Sequence, residues 1–457
     1  MKYLLKNGTV ISGAGTRKQD VLVEGEKIIK VGEDLSQPDA KVVDVSGKLL
    51  FPGFIDGHTH FDLEVAGTVT ADDFETGTRA AILGGTTLVI DFASQDKGGH
   101  TLKEGLEKWH KKADGKCSCD YSFHMSIVEW NEETKKEIQD MINEGITSFK
   151  LYMTYPAMIV DDEDLYKIIK ALNEKGCFAG VHCENAGVID ALIQEAKAQG
   201  KLGPENHPLV RPDTMEAEAV HRLLVIAKEA GAPAMVVHLT NRKAYEEIIR
   251  ARENGQTVFA ETCPQYLILY DSVYSKPDFE GAKYVCAPPI RKKEDQDCLW
   301  KALADGDIQT VATDQCSFTL AQKAMGKADF TKIPGGLPGV QTRGTLLYTY
   351  GVRTGKITVE KMCQLLCENP AKLYGAYPNK GVIAEGSDAD IVVFDPEKEN
   401  VISAKTHAYN TDNNPYEGFE IHGDIDKVFL RGNLAVDEGK LVQEKLGKYI
   451  ARGKKQL

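Results

Sequence analysis

The middle of the chain alternates short apolar runs with amphipathic stretches of helical length. Four of these stretches, at 132–143, 162–173, 215–230 and 242–253, place apolar residues at the spacing of one helix face. The runs have the length of buried strands, and there are eight: 50–55, 86–92, 121–128, 147–152, 178–182, 234–239, 257–262 and 309–313. Eight alternating units predict an α/β fold with a parallel sheet, a (β/α)8 TIM-type barrel over residues 51–375.

An open doubly wound sheet is the alternative arrangement of alternating strands and helices. Such sheets often bind a nucleotide through a Gly-x-Gly-x-x-Gly turn after the first strand. No such turn follows the first run, which continues as Asp56-Gly57-His58-Thr59-His60. The barrel is therefore the favoured fold.

Both ends of the chain have a different sequence pattern, in which short apolar runs alternate with turns. The runs are 3–5, 21–23, 28–31 and 42–45 near the start, and 391–394 and 428–430 near the end. Neither set is large enough to be stable alone. We therefore predict a composite β-sandwich domain that combines residues 1–50 with 376–440.

The remaining segment, 441–457, forms a basic C-terminal tail. It carries Lys445, Lys448, Arg452, Lys454 and Lys455 against a single acid, Glu444. Two interpretations are equally open, a role in subunit contacts and a solvated, partly disordered end.

Composition and charge narrow the class of protein. The 457 residues include 55 Lys and Arg against 68 Asp and Glu, a net charge of −13, which argues against nucleic-acid binding. No run approaches the ~20 apolar residues of a membrane helix, and the start lacks the pattern of a signal peptide. Together these features predict a cytoplasmic protein without a membrane partner. The ten cysteines contain no Cys-x-x-Cys pair, which predicts free thiols.

Residues that can bind a metal lie at or near the ends of several predicted strands. His58 and His60 are two residues apart, so in an extended strand they point to the same side and can share one ion. Later runs bring Lys150, His182, His238 and Asp314 to comparable positions. In such barrels the C-terminal rim carries the catalytic residues, so we expect these side chains to converge.

Each of these residues also has an ordinary structural explanation when it is taken alone. A single histidine at the rim more often makes a hydrogen bond than binds a metal. Lys150 can pack its aliphatic part and extend its ammonium group to solvent. Asp314 can cap the N-terminus of a helix. Four of the eleven histidines fall at comparable positions of four predicted β/α units, and this coincidence favours a metal site. Four neutral imidazoles and one carboxylate nevertheless supply one negative charge, too little for two close divalent ions. Because Lys150 occupies a position of the site, either the site holds a single metal or the lysine is converted to an anion.

Several stretches resemble the dihydropyrimidinase (D-hydantoinase) family of the amidohydrolase superfamily. They are FPGFIDGHTH at 51–60, GTVTADDFETGT at 67–78, SFKLYMTY at 148–155, VHCEN at 181–185, ETCPQYL at 261–267 and PYEG at 415–418. The resemblance extends over almost the whole chain. It implies that Lys150 is an N6-carboxylysine, formed with carbon dioxide or bicarbonate, which bridges two Zn²⁺ ions per subunit.

The resemblance also implies how the ligands are divided and what the site does. One zinc is assigned to His58, His60 and Asp314, and the other to His182 and His238. A metal-bridging hydroxide would attack the ring carbonyl of a 5,6-dihydropyrimidine or a 5-substituted hydantoin, which opens to an N-carbamoyl amino acid. Asp314 would shuttle the proton and Tyr155 would stabilise the oxyanion. The assembly implied is a homotetramer, or a homodimer.

Substrate binding is implied for the backbone at Ala287 and Gly335, where the family often has Ser and Asn. A third departure is Gln315, which follows Asp314 where the family has His. The loops after the metal-bearing strands carry apolar residues that are candidates for lining the pocket, with ordinary loop packing as the equal alternative: Leu63, Val65, Met153 and Met158. These differences concern the preferred ring and leave the expected reaction type unchanged.

Three competing functions follow from the same resemblance. Dihydroorotases have Arg two residues after the second metal histidine, where this chain has Asp62, so that activity is disfavoured. An allantoinase-type hydrolase uses the same ligand set and stays open. A non-catalytic scaffold related to dihydropyrimidinases is disfavoured because all six ligand positions are retained.

Overall fold

The computed structural model describes residues 2–457, whose strands form two large sheets and one small hairpin. The strands are β1 (Lys2–Ser12), β2 (Gly15–Glu24), β3 (Lys27–Gly32), β4 (Lys41–Asp44), β5 (Leu49–Pro52), β6 (Phe54–Thr59), β7 (Glu64–Val65), β8 (Thr68–Val69), β9 (Thr86–Ser94), β10 (Asp120–Ser126), β11 (Ser148–Tyr152), β12 (Phe178–His182), β13 (Ala234–Val236), β14 (Val258–Thr262), β15 (Thr310–Val311), β16 (Ile391–Val401), β17 (Glu420–Leu430), β18 (Asn433–Asp437) and β19 (Lys440–Leu441).

The α-helices lie mostly between the strands from β6 to β15. They are α1 (Phe74–Leu83), α2 (Leu102–Ala113), α3 (Glu132–Asn143), α4 (Asp162–Glu174), α5 (Ala186–Ala198), α6 (His207–Val210), α7 (Asp213–Glu229), α8 (Arg242–Glu253), α9 (Pro264–Ile268), α10 (Lys293–Asp305), α11 (Leu320–Lys323), α12 (Arg343–Leu347), α13 (Val359–Cys363) and α14 (Asn369–Leu373). Several begin at a side-chain cap, since Asn131, Asp161 and Asn241 accept backbone N–H groups from the first turns of α3, α4 and α8.

The predicted barrel is confirmed. Its eight strands are all parallel, in the order β15-β14-β13-β12-β11-β10-β9-β6, and each of the eight apolar runs contributes one. A parallel bridge between Thr59 and Gln315 brings the two edge strands together. Strands β6 and β10 are buried along their full length, because helices cover one face and the barrel interior the other. Carboxyl ends of all eight strands therefore meet at one rim.

The first predicted run, 50–55, belongs to two strands rather than one. Strand β5 pairs with β1 and β16 in the terminal sheet, whereas β6 pairs with β9 in the barrel. Gly53 lies between them and donates its backbone N–H to Asp390 O at 2.9 Å. A Cβ at this position would overlap the Thr87 side chain, so the chain changes sheets where only glycine fits.

The terminal strands form one nine-stranded sheet that combines both ends of the chain. Its hydrogen-bonded order separates β1 from β17 by β5 and β16, which would put them ~14 Å apart in a flat sheet. The rings of Tyr3 and Phe429 are instead 5.1 Å apart, in a core shared by residues of both ends. The predicted β-sandwich is thus a single sheet rolled around its own core. The division into 1–50 with 376–440 and 51–375 stays a prediction.

The C-terminal tail is packed against the N-terminal ends of the barrel strands. Ile450 N donates to Tyr121 O at 2.8 Å, and Lys448 N donates to Asp120 Oδ1 at 2.9 Å. Arg452 is 4% exposed and donates to Ser122 Oγ and Ser148 Oγ, each at 2.8 Å. The tail therefore binds the barrel of its own chain, and its role in subunit contacts stays a prediction.

Replacing Arg452 with alanine is expected to lower the free energy of unfolding by about 3 kcal/mol, because buried acceptors lose their charged donor. These acceptors include the backbone carbonyls of Phe123 and Tyr374 as well as the two hydroxyls. Urea unfolding measures the change. Lys454→Ala is the matched control, since Lys454 is an exposed cation of the same tail. Equal unfolding midpoints for the two variants would contradict the prediction.

The cysteines do not form disulfides. All ten are free, as predicted, and nine of them are buried. Burial raises the pKa of the Cys177 thiol to about 11, which keeps it protonated near neutrality. Across residues 2–457, no helix combines the length and apolar character that crossing a bilayer requires.

Candidate active site

Four histidine rings lie side by side at the carboxyl rim of the barrel. The centroid distances are 5.2 Å from His60 to His58, 5.4 Å from His58 to His238, and 4.5 Å from His238 to His182. His58 and His182 lie within β6 and β12, and His238 comes two residues after β13. The closed barrel thus brings together residues that are far apart in sequence.

Asp314 lies next to this group, three residues after β15. Its Oδ1 is 3.2 Å from His58 Nε2 and 3.1 Å from His60 Nε2. Burial alone would raise the pKa of Asp314, but His58 and His60 hold it well below its usual value. Potential ligand atoms of His58, His238 and Asp314 all lie within 4.8 Å of one another. An ionised carboxylate and imidazole nitrogens at this separation fit a metal ion.

Two nitrogens of this group also make no hydrogen bond in the described chain. They are His58 Nε2 and His238 Nδ1, both buried, although His58 Nε2 lies 3.2 Å from Asp314 Oδ1. A buried polar atom without a hydrogen bond costs ~1–3 kcal/mol. We therefore expect at least one of these two nitrogens to bind a ligand. Burial lowers the pKa of His182 and His238, which favours the neutral imidazole that binds metals.

Lys150 is the third residue of β11 and is 1% exposed. Its Nζ lies 5.1 Å from the ring centroids of both Phe92 and Tyr152. Within residues 2–457 no carboxylate comes within 4.0 Å of it. Burial lowers the pKa of Lys150 to about 8, so a minor fraction of the amine is neutral near neutral pH. A neutral amine is the form that reacts with carbon dioxide.

Two glutamates that the sequence analysis missed orient the histidines. His58 Nδ1 donates to Glu261 Oε1 at 2.7 Å, and Glu261 is fully buried in β14. His182 Nε2 donates to Glu184 Oε2 at 2.7 Å. Such carboxylates fix the tautomer of a ligating histidine, which leaves its other nitrogen for a metal. The available signals were an acid inside an apolar strand and an acid two residues after His182.

A third missed residue, Arg211, connects this network to Tyr155. Arg211 Nη1 donates to Glu184 Oε2 at 2.6 Å, and its guanidinium lies 5.8 Å from the centroid of the Tyr155 ring. Burial would raise the pKa of Glu184, but Arg211 and His182 together outweigh it and lower the pKa to about 2. The Tyr155 ring is 5.1 Å from that of His182. Tyr155 is therefore held beside the histidine group.

Three residues of the site have left-handed backbone conformations. Tyr155, His238 and Asp314 have φ values of 67°, 40° and 54°. Such conformations cost of order 1 kcal/mol or more outside glycine, and they persist where surrounding contacts hold them. Here they turn the chain directly after strands β11, β13 and β15.

The residues predicted to bind substrate have different environments. Ala287 is half-buried and Gly335 is exposed, although Cys286, Pro288, Pro334 and Gly336 around them are buried. The four apolar candidates range from core to surface: Met153 is in the main core, Leu63 and Met158 are half-buried, and Val65 is exposed in the β7–β8 hairpin. Their contacts with a substrate stay predictions.

Gln315, which follows Asp314, makes hydrogen bonds through both its side chain and its backbone. Its Oε1 accepts the N–H groups of Gly339 at 2.6 Å and Val340 at 3.1 Å, and its Nε2 donates to Asp72 Oδ2 at 3.2 Å. Its backbone carbonyl accepts from His60 N at 2.8 Å. The side-chain amide of Gln315 thus connects the segment after β15 to two other parts of the rim, and its backbone carbonyl connects it to a third.

Comparisons with known proteins identify the family to which the chain belongs. The profile of the Amidohydrolase family matches residues 49–435. The chain is 44% identical to the D-hydantoinase of Geobacillus stearothermophilus over 99% of this chain and 97% of that protein. It is 45% identical to the D-hydantoinase of Streptomyces coelicolor over 96% and 95% of the two chains. The crystal structure of dihydropyrimidinase from Brevibacillus agri superposes with a TM-score of 0.98 at 44% identity, covering 100% of this chain and 99% of that one. The chain therefore belongs to the amidohydrolase family, among its dihydropyrimidinases and hydantoinases.

Proposed function

We propose that this protein is a metal-dependent cyclic amidohydrolase that opens 5,6-dihydropyrimidines or 5-substituted hydantoins to N-carbamoyl amino acids. The observation that carries the proposal is the convergence of four histidines, Asp314 and Lys150 at the carboxyl rim of one barrel. The D-hydantoinase and dihydropyrimidinase relatives support the choice of cyclic amides as the substrate class.

The proposed cofactor is a pair of zinc ions per subunit. His58, His60 and Asp314 would hold one ion, His182 and His238 the other, and Lys150 would join them as N6-carboxylysine. Zinc supplies a water of lowered pKa and polarises a carbonyl group. The partly neutral amine of Lys150 supports its conversion to a carbamate, which provides the anion that the other ligands lack.

Asp314 is the proposed proton carrier. In the hydrolysis, the oxygen of water becomes bonded to the ring carbonyl carbon, the ring C–N bond breaks, and the leaving nitrogen gains a proton. The Asp314 carboxylate is ionised and has two oxygens, so it can accept the proton of the attacking water and pass it to that nitrogen.

Tyr155 and two backbone segments are proposed to bind the substrate. The hydroxyl of Tyr155 would donate a hydrogen bond to the carbonyl oxygen as negative charge develops on it. The position of its ring beside His182 and Arg211 supports this role. Peptide groups at Ala287 and Gly335 would bind the ureide edge of the ring.

Tyr155→Phe is expected to lower kcat by about 10²–10³, because one donor to the developing oxyanion is lost while the ring stays in place. Steady-state kinetics on zinc-loaded protein measures the change. Tyr245→Phe is the control, since that hydroxyl donates at 2.6 Å to Asp307 on the outside of the barrel. A Tyr155→Phe enzyme within threefold of wild-type kcat would rule out the oxyanion role.

The function is tested by a ring-opening panel on zinc-loaded protein: dihydrouracil, dihydrothymine, hydantoin, 5-phenylhydantoin and allantoin. We expect release of an N-carbamoyl product from dihydropyrimidines or hydantoins. Preference for allantoin would establish the allantoinase alternative instead. Absence of turnover on all five, after zinc and bicarbonate are supplied, would favour the scaffold.

The assembly and the cellular location of the protein are proposed as well. We propose a homotetramer, or a homodimer, and sedimentation velocity of the purified chain distinguishes these from a monomer. The cytoplasmic location is also proposed, and fractionation of the source cells tests it.

A further inference from the structure

Lys323, at the end of the short helix α11, is a buried lysine that the mechanism does not use. It is 2% exposed. Its Nζ donates to three backbone carbonyls, Val285 O at 2.9 Å, Pro334 O at 2.8 Å and Gly336 O at 2.9 Å. All three donor positions of one ammonium are therefore used to join two segments that are about 50 residues apart.

The charge environment of Lys323 is unusual for a buried lysine. In the described part of the chain no carboxylate lies within 4.0 Å of it, and burial lowers its pKa to about 8. Lys380 is equally buried, at 2% exposure, but it lies beside Asp120, Asp388 and Asp390. A cation without a counter-charge is costly to bury. Its three carbonyl contacts, together with the Phe318 ring whose centroid lies 5.5 Å from Nζ, offset part of this cost.

The two joined segments contact each other and border the proposed catalytic carboxylate. Gly336 N donates to Val285 O at 2.9 Å, the same carbonyl that Lys323 binds. Cys316, two residues after Asp314, donates its backbone N–H to Leu337 O at 3.0 Å. Lys323 therefore connects the proposed ring-binding backbone to the segment that carries Asp314.

Some peptide groups of these two segments make no hydrogen bond within the protein and can bind a ligand. Within residues 2–457, Ala287 N, Ala287 O and Gly335 N make no hydrogen bond to the protein. Ala287 is half-buried and Gly335 is exposed, unlike their buried neighbours. A cyclic ureide presents N–H donors and C=O acceptors along one edge, which match free peptide groups of this kind.

We propose that Lys323 is a positioning residue, whose ammonium holds segments 285–287 and 334–336 at the separation that binds the ureide edge of the substrate ring. This inference rests on the proposed function and adds to it the determinant of ring binding. It assigns Lys323 no contact with the reacting atoms. Its loss should therefore weaken binding of substrate and transition state together, which raises KM more than it lowers kcat.

The test compares Lys323→Met with Lys380→Met, both of which replace a buried lysine by an uncharged chain of similar length. With zinc-loaded protein and dihydrouracil or hydantoin, Lys323→Met should raise KM at least tenfold, with kcat within threefold and zinc content unchanged. Lys323→Gln keeps two N–H donors and should give an intermediate KM. Lys380→Met should unfold more readily than wild type and keep the wild-type KM.

A KM for Lys323→Met within twofold of wild type, or an equal rise in Lys380→Met, would overturn the inference. If the wild-type protein opens none of the rings, the proposed function fails, and the role of Lys323 is judged by hydrogen–deuterium exchange instead. Faster exchange at 285–287 and 334–340 in the Lys323 variants than in Lys380→Met supports the positioning role, and equal exchange rejects it. Should Lys323→Met not fold, Lys323→Gln serves for both measurements.

Discussion

Lys150→Ala is expected to lose both zinc ions and about a thousandfold in turnover. Metal-ion catalysis is worth several kcal/mol, and each ~1.4 kcal/mol is a factor of ten in rate. The physical reason is charge. Without a carbamate on Lys150, the four imidazoles and Asp314 supply one negative charge for two divalent ions, whose mutual repulsion then opposes binding.

The fold should survive this substitution. Lys150 makes no ion pair in the described chain, and the backbone pairs of β11 with β10 and β12 do not depend on its side chain. The measurements are therefore the metal-to-protein ratio, the turnover and the thermal unfolding curve of the same preparation. We expect the metal-to-protein ratio and the turnover to fall sharply, while the protein still unfolds cooperatively.

Lys380→Ala provides the matched control for the loss of a buried lysine. Lys380 donates to Asp120 and Asp390 at the opposite end of the barrel strands, so its loss should destabilise the protein without releasing zinc. A Lys150→Ala protein that retains two zinc ions and near-normal rates would refute the bridging role.

The apolar pattern was sufficient to predict the barrel because its strands are buried on both faces. Each of the eight runs is continuous and of strand length, and each contributes one strand to the barrel. The same continuity concealed the change of sheet at Gly53. Whether a strand pairs with β1 or with β9 is decided by residues distant in sequence, and an unbroken apolar run carries no information on that choice.

The site was predictable to the extent that its residues lie at or just after the ends of strands. His58, His182 and Asp314 could be placed at one rim from the parallel topology alone. Glu261 could not be assigned, because its contact with His58 spans 203 residues and depends on side chains that cross the barrel interior. Lys323 was missed for a related reason, since its three acceptors are backbone atoms of two other loops.

Asp314→Asn is the second substitution with a large expected effect, a fall in kcat of about 10²–10⁴. Asparagine keeps the shape and one oxygen ligand of the side chain but cannot carry a proton between water and the leaving nitrogen. Glutamate at the same position retains the carboxylate, so Asp314→Glu should recover part of the rate. Asp307→Asn is the control, because Asp307 is a half-buried acid on the outer surface that contacts Tyr245.

The two roles assigned to Asp314 separate when zinc is measured in each preparation. At equal zinc content, a large fall in kcat for Asp314→Asn reports the proton transfer alone, since the metal is still in place. If Asp314→Asn loses zinc, comparison at saturating zinc restores the test, because the ligand defect is then offset by mass action. Wild-type turnover in a zinc-replete Asp314→Asn enzyme would show that another group moves the proton, and the carboxylate would then serve only to hold the metal.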